Sequence, residues 1–230
     1  MKIKVLGTRG EVEESAPYHS KRSGVLIDNT LLLDVGDERF LHLRPRAILI
    51  THLHPDHAYF VRHKEKPSVA LPIYAPESYD EVKITLTKKP FKIGSYTITP
   101  IPTIHSAKVK SNAYLIEHKG KRVLYTGDMI WLEKKYQAHL GTLDLVITEA
   151  SFMRKGGMVR REKETGQIYG HTGVPNLVAL FKQFTSEILF VHFGAWFYKD
   201  IKKARREFAA LARQHKVKII VGYDGLELEI

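Results

Sequence analysis

Three imidazoles and a carboxylate, His52, His54, Asp56 and His57, occupy six consecutive positions directly after the apolar run Ala47 to Ile50. Polar side chains gathered at the end of a buried strand are unfavourable unless something satisfies them. On an extended segment, side chains two residues apart point the same way, so His52 and His54 can approach one ion. Asp56 and His57, on a following helical turn, can reach a second. Neutral imidazole and carboxylate suit zinc, and also manganese or iron. A chain built around this segment is expected to place a metal site at a strand end.

The absence of cysteine removes disulfides, thiolate metal sites and thiol catalysis, leaving the 12 histidines and the carboxylates to carry any metal or acid–base chemistry. A net charge of +11 favours anionic partners, RNA, single-stranded nucleic acid or nucleotides among them. No stretch approaches the ~20 apolar residues of a membrane span, and the N-terminal Met1 to Leu6 reads as a strand and not as a signal peptide. No membrane association and a cytoplasmic location are the resulting expectations. The 230 residues suit one domain spanning 1–230, and no linker or tandem repeat divides them. Oligomeric state is not encoded in any of these features.

Alternating and apolar runs predict strands over Ile3 to Leu6, Gly24 to Asp28, Thr30 to Asp34, Ala47 to Ile50, Pro72 to Ala75 and Tyr96 to Ile101. Asp28-Asn29 marks a hairpin turn, and a helix is expected from Pro55. Further strands are expected at Asn112 to Glu117, Arg122 to Tyr125, Leu143 to Thr148, Glu187 to Val191, Val217 to Val221 and Leu226 to Ile230. Helices are expected at Val174 to Phe184 and Asp200 to His215, the latter with a solvated basic face. Between Phe152 and Gly170, Arg154, Lys155, Arg160, Arg161 and Lys163 accompany Gly156, Gly157 and Gly166, a pattern that suggests either a mobile loop able to bind a phosphate backbone or, equally, a charged surface excursion with no partner. Phe152, Tyr169, Trp196 and Tyr198 are candidates for stacking on bases, against core packing or pocket lining as the commoner use.

The segment His52-Leu53-His54-Pro55-Asp56-His57 resembles the HxHxDH signature of the metallo-β-lactamase superfamily, whose other ligands follow in the order His, Asp, His. Matching residues are His105 in Thr103-Ile104-His105-Ser106, Asp128 after Gly127, and His192 at the end of an apolar strand. The openings Leu6-Gly7-Thr8-Arg9-Gly10 and Leu32-Leu33-Asp34-Val35-Gly36 are similar to the family's first strands. This resemblance implies an α+β fold, a four-layer αββα sandwich with metals at one edge of its two sheets. It also implies that His52, His54 and His105 hold one metal, that Asp56, His57 and His192 hold the other, and that Asp128 bridges. Asp34 is either a partner of a ligand histidine or a plain turn aspartate.

Two divalent ions, zinc by the donor set with manganese or iron as alternatives, would make a metal-bridging hydroxide the nucleophile of a hydrolase. Asp56 is a candidate to orient that nucleophile. Thr148-Glu149-Ala150-Ser151-Phe152 resembles the HEATF-like segment of the ribonuclease Z branch, and Gly170-His171-Thr172 resembles its downstream histidine. By that comparison Glu149 orients His171, which assists the departing oxygen, and the enzyme is a phosphodiesterase or nuclease. The competing structural use has Glu149 ending a strand and His171 capping the helix near Val174. Thr148 replaces that branch's first His, and the 22 residues between His105 and Asp128 leave no room for its long transfer-RNA-gripping arm. A smaller or unstructured nucleic-acid or nucleotide substrate is therefore expected. The other readings are a metal-dependent hydrolase of esters, lactones or thioesters, and a non-catalytic nucleic-acid-binding module.

Overall fold

The computed structural model describes every residue except 64–66, 68, 69 and 81. In chain order its strands are β1 Lys2–Gly7, β2 Gly24–Ile27, β3 Leu31–Leu33, β4 Ala47–Leu49, β5 Ile73–Ala75, β6 Ile84–Leu86, β7 Phe91–Ile93 and β8 Tyr96–Pro102. They continue with β9 Asn112–His118, β10 Lys121–Tyr125, β11 Leu145–Ala150, β12 Met158–Arg161, β13 Ile168–His171, β14 Glu187–Phe193, β15 Lys218–Val221 and β16 Glu227–Glu229. The helices are α1 Phe60–His63, α2 Lys134–Gln137, α3 Val174–Phe181, α4 Ala195–Lys199 and α5 Ile201–His215, with a 3-10 turn at Glu38–Leu43. No helix among the described residues is long and apolar enough to cross a membrane.

Two seven-stranded sheets are present among the described residues, ordered β16-β1-β2-β3-β4-β5-β6 and β15-β14-β11-β10-β9-β8-β7. Strict alternation explains why they stack. Val25 and Ile27 of β2, Leu31 and Leu33 of β3, and Leu189 and Val191 of β14 share the core between the sheets. Their neighbours Leu26 and Leu32 face the outer layer of the first sheet, against Phe40, Leu41 and Phe60. On the far side, Ile188 and Phe190 pack with Leu177 and Phe181 of α3 and with Ala204 and Phe208 of α5. Each such fully buried side chain contributes on the order of 1.5–3 kcal/mol by removal from water. The order of layers is helix, sheet, sheet, helix.

The helix expected from Pro55 is reduced to a turn followed by the four residues of α1. The backbone there is diverted to Val35, whose N–H donates to the His57 carbonyl at 2.7 Å and whose carbonyl accepts from the Tyr59 N–H at 2.9 Å. Asp28 and Asn29 both adopt positive φ, 48° and 50°, as the expected hairpin turn requires. The basic segment expected to be a mobile loop or a surface excursion contains an antiparallel hairpin, β12–β13, in which Met158 pairs with His171 and Arg161 with Ile168. Its glycines serve turn geometry: Gly157 and Gly166 have φ of 61° and 71°.

Candidate metal centre

The parallel strands β4, β10, β11 and β14 end at the same edge of the sandwich, and each delivers a polar side chain just beyond or at its end: His52, Asp128, Glu149 and His192. β8 contributes His105 from the loop that follows it. All seven residues expected to face metal are brought together. Donor atoms of His52, His54, His105 and Asp128 lie within 4.8 Å of one another, as do those of Asp56, His57, Asp128 and His192. Asp128 belongs to both sets, and to a third with Glu149 and His171.

Within the first set, His54 Nδ1 stands 3.0 Å from His52 Nε2 and 3.2 Å from His105 Nε2, and Asp128 Oδ2 is 3.8 Å from both latter nitrogens. Three imidazole nitrogens share one small space without a carboxylate among them at hydrogen-bonding distance. In the second set, His192 Nε2 meets Asp56 Oδ2 at 2.8 Å. His57 Nε2 and Asp128 Oδ1 face each other at 3.3 Å without hydrogen-bonding geometry, and both atoms are buried with no hydrogen-bond partner among the described residues. Orphaned buried polar atoms of this kind are costly, and a cation at the point of convergence is what such donors fit. The residues present therefore suit a divalent metal.

Neighbouring groups fix the ligand rings. Asp34, fully buried with φ of 56°, accepts from His57 Nδ1 at 2.7 Å, from Tyr125 Oη at 2.8 Å and from the Thr51 N–H at 2.7 Å. It is thus a partner of a ligand-set histidine and not a plain turn aspartate. His105 Nδ1 donates to the Gly170 carbonyl at 2.9 Å, and Ser151 Oγ lies 3.1 Å from His192 Nδ1. Ser151 was not legible as a site residue, because a serine after a strand carries no signal of its own. His192 is itself in the left-handed region at φ 52°. A methyl group on Gly10 would come 2.9 Å from its ring, so only glycine lets this loop pass. At Gly127, with φ of 58°, a methyl group would come still closer, 2.5 Å from Thr51 Oγ1.

Burial pushes His52 and His105 below the ordinary imidazole range and His54 down to about 4, with neighbouring histidines adding to the effect. Burial acts against charge on His57 and His192 too, but Asp128 and Asp56, joined at His57 by Asp34, outweigh it and raise both. The Glu149–His171 pair is formed: His171 Nδ1 donates to Glu149 at 2.9–3.0 Å and lies 3.9 Å from Asp128 Oδ2. Despite burial, these carboxylates raise His171 to about 9. Glu149 is 1% exposed and is anchored by the Met129 N–H at 2.7 Å. α3 is capped by Gly173, so His171 does not serve as its cap.

Residues 37–193 match the family described as the β-lactamase superfamily domain. The chain belongs to that superfamily. Its fold is the metallo-β-lactamase fold. The protein YhfI from Bacillus subtilis, a metallo-β-lactamase fold protein, superposes with a TM-score of 0.72 at 22% identity, covering 100% of this chain and 98% of that one. A diphosphatase from the PhnP family gives 0.70 at 18% identity, covering 100% and 98%. The short form of human tRNase Z gives 0.67 at 15% identity, covering 100% and 99%. No curated protein sequence matches significantly.

Two concave surfaces adjoin the superfamily's metal edge. A cavity of about 290 Å³ is lined by His54, Asp56, Asp128, His171 and His192, together with Val12, Phe152, Met158 and Trp196. Of the four aromatic candidates, Phe152 and Trp196 line the site, whereas Tyr198 donates to the His19 carbonyl away from it and Tyr169 lies in β13. A wider groove of about 780 Å³ runs behind His105 and carries Lys88, Lys108 and Lys110, none of which has a salt-bridge partner among the described residues. Arg154, Lys155, Arg160, Arg161 and Lys163 are exposed on and around the β12–β13 hairpin.

Proposed function

We propose that this protein is a metal-dependent phosphodiesterase of nuclease-like chemistry that binds two divalent ions, zinc by preference. His52, His54 and His105 would hold one, Asp56, His57 and His192 the other, and Asp128 both. The zinc preference follows from the donor set, imidazole and carboxylate without thiolate, which manganese and iron also accept. When bound, such ions supply Lewis acidity and lower the pKa of water to near neutrality.

The observation that carries the phosphodiester reading is the Glu149–His171 pair, 2.9 Å apart, in which a buried carboxylate holds a partly exposed imidazole against Asp128. A histidine held charged at neutral pH beside the cluster is a proton donor, and its Nδ1 is occupied by Glu149, so the proton is delivered from Nε2. Hydrolysis forms one P–O bond from water and breaks the ester P–O bond. The departing oxygen takes the His171 proton, and water's surplus proton passes to solvent. Asp56, which meets His192 at 2.8 Å, would orient the attacking water. Alkoxide leaving groups need such an acid far more than thiolates do, which favours this reading over a thioester. The lysines of the groove behind His105, which make no salt bridge among the described residues, and the basic hairpin support an anionic substrate such as RNA, single-stranded nucleic acid or a nucleotide.

Metal-loaded protein assayed against a bis-aryl phosphodiester and single-stranded RNA, with thioester and lactone substrates in parallel, tests the proposal. Phosphodiester turnover is expected, falling about 10²-fold or more for RNA in His171→Ala with metal content unchanged. Turnover confined to carbon esters and indifferent to His171 would overturn it.

A further inference from the structure

The 290 Å³ cavity contains more than its catalytic floor. Its walls are Val12 from the loop after β1, Phe152 after β11, Met158 at the base of the hairpin, and Trp196 in α4. All four are half-buried, so apolar surface beside the cluster remains uncovered. Two of the walls have contacts of their own. The Trp196 indole N–H donates to the Ala150 carbonyl at 2.8 Å, which fixes the plane of the ring. The Phe152 ring lies 5.9 Å from that of His171 and has the Arg154 guanidinium 5.7 Å from its centroid. Met158 adds a polarisable, adaptable side chain.

Charge at the rim does not oppose an apolar occupant. Glu11 is the one carboxylate lining the cavity outside the cluster, and it is bound by Arg22 and, at 2.6 Å, by Arg62. The volume lies at the lower end of the roughly 300–1,000 Å³ typical of small-ligand sites. It admits one ring system and its sugar, and excludes a folded helix.

We propose that this cavity is a ring-binding subsite, and that the substrate is a phosphodiester bearing a nucleobase or comparable flat ring next to the scissile bond, held between Trp196, Phe152 and Met158. The assignment rests on the phosphodiesterase reading above and narrows it from anionic polymers in general to a substrate recognised one base at a time.

The test uses the metal-loaded full chain and a dinucleoside monophosphate, with analogues in which one base or the other is replaced by hydrogen. The scissile bond and leaving-group oxygen are the same in all of them. Loss of the base in the subsite is expected to lower kcat/KM about ten-fold or more, mostly through KM, as stacking on an aromatic does. In Trp196→Leu the ratio between base-bearing and abasic substrates should shrink toward unity, and Trp196→Phe should restore most of it. Circular dichroism and metal content identify variants that fold. Cleavage that is indifferent to the bases, or a base preference untouched by both Trp196→Leu and Phe152→Leu, would overturn the subsite and leave the phosphodiesterase standing. No cleavage of any diester would overturn the phosphodiesterase itself.

Discussion

The two halves of the candidate centre use the same side-chain types to opposite electrostatic effect. His52, His54 and His105 form an imidazole half whose members are driven neutral by burial and by one another. Asp56, His57 and His192 form an acidic half in which carboxylates hold the histidines protonated. Asp34 reinforces the second half through His57, whereas the first is steadied at His105 by a backbone carbonyl. The lesson is that a ligand's identity does not set its readiness: one half is already in its binding state at neutral pH, and the other must exchange protons for metal.

The largest expected effect comes from the residue common to both halves. Asp128→Asn should deplete both ions and cut phosphodiester turnover about 10³-fold or more, given the several kcal/mol of charge stabilisation that metals supply. Elemental analysis with kinetics checks this, and a folded variant with full metal content and wild-type turnover would break the picture of a shared bridge. Next come the half-specific variants. Asp34→Asn should weaken metal binding roughly 10- to 100-fold in the acidic half, which it meets directly at His57, and less in the imidazole half, which it reaches only through Thr51 and His52, and His54→Ala should do its damage in the imidazole half, as read by competition with a chelator of graded affinity.

The smallest effect is the most discriminating. Because neighbouring carboxylates raise His57 and His192 above the ordinary imidazole range, metal competes there with protons, and affinity of the acidic half should rise with pH through neutrality. The imidazole half should show no such slope there, since His54 has lost its proton above about 4. Calorimetric titration in buffers of different ionisation enthalpy should therefore find proton release in His54→Ala, which retains the acidic half. Little release is expected in Asp34→Asn at metal concentrations that fill only the imidazole half. Equal release from both would erase the distinction.

Much of this was legible because metal-facing side chains must sit where strands end, and strand ends are visible as apolar runs followed by polar residues. Ala47 to Ile50 before His52, and Leu189 to Val191 before His192, carry that signal in full. The order of the ligands, learned from the family resemblance, supplied what His105 and Asp128 could not supply singly. The short edge strands β6 and β7 escaped notice: Ile84-Thr85-Leu86 and Phe91-Lys92-Ile93 are partly exposed, too short to show a period, and set among lysines. In residues 152–170 the glycines have a conformational use that composition does not show: Gly156 and Gly157 turn the chain into β12, and Gly166 lies in the turn between β12 and β13, all at positive φ. Long-range pairing of Val35 with residues 57–59, which cuts short the expected helix, has no local signature at all.

The hairpin also links two properties that are usually separable. Met158, a wall of the cavity, lies directly across the ladder from His171, the candidate proton donor. A slip of one residue in that pairing would put the two side chains on opposite faces. The register of one hairpin thus couples the wall to the proposed proton donor: exchanging it between related chains would move both in a single step.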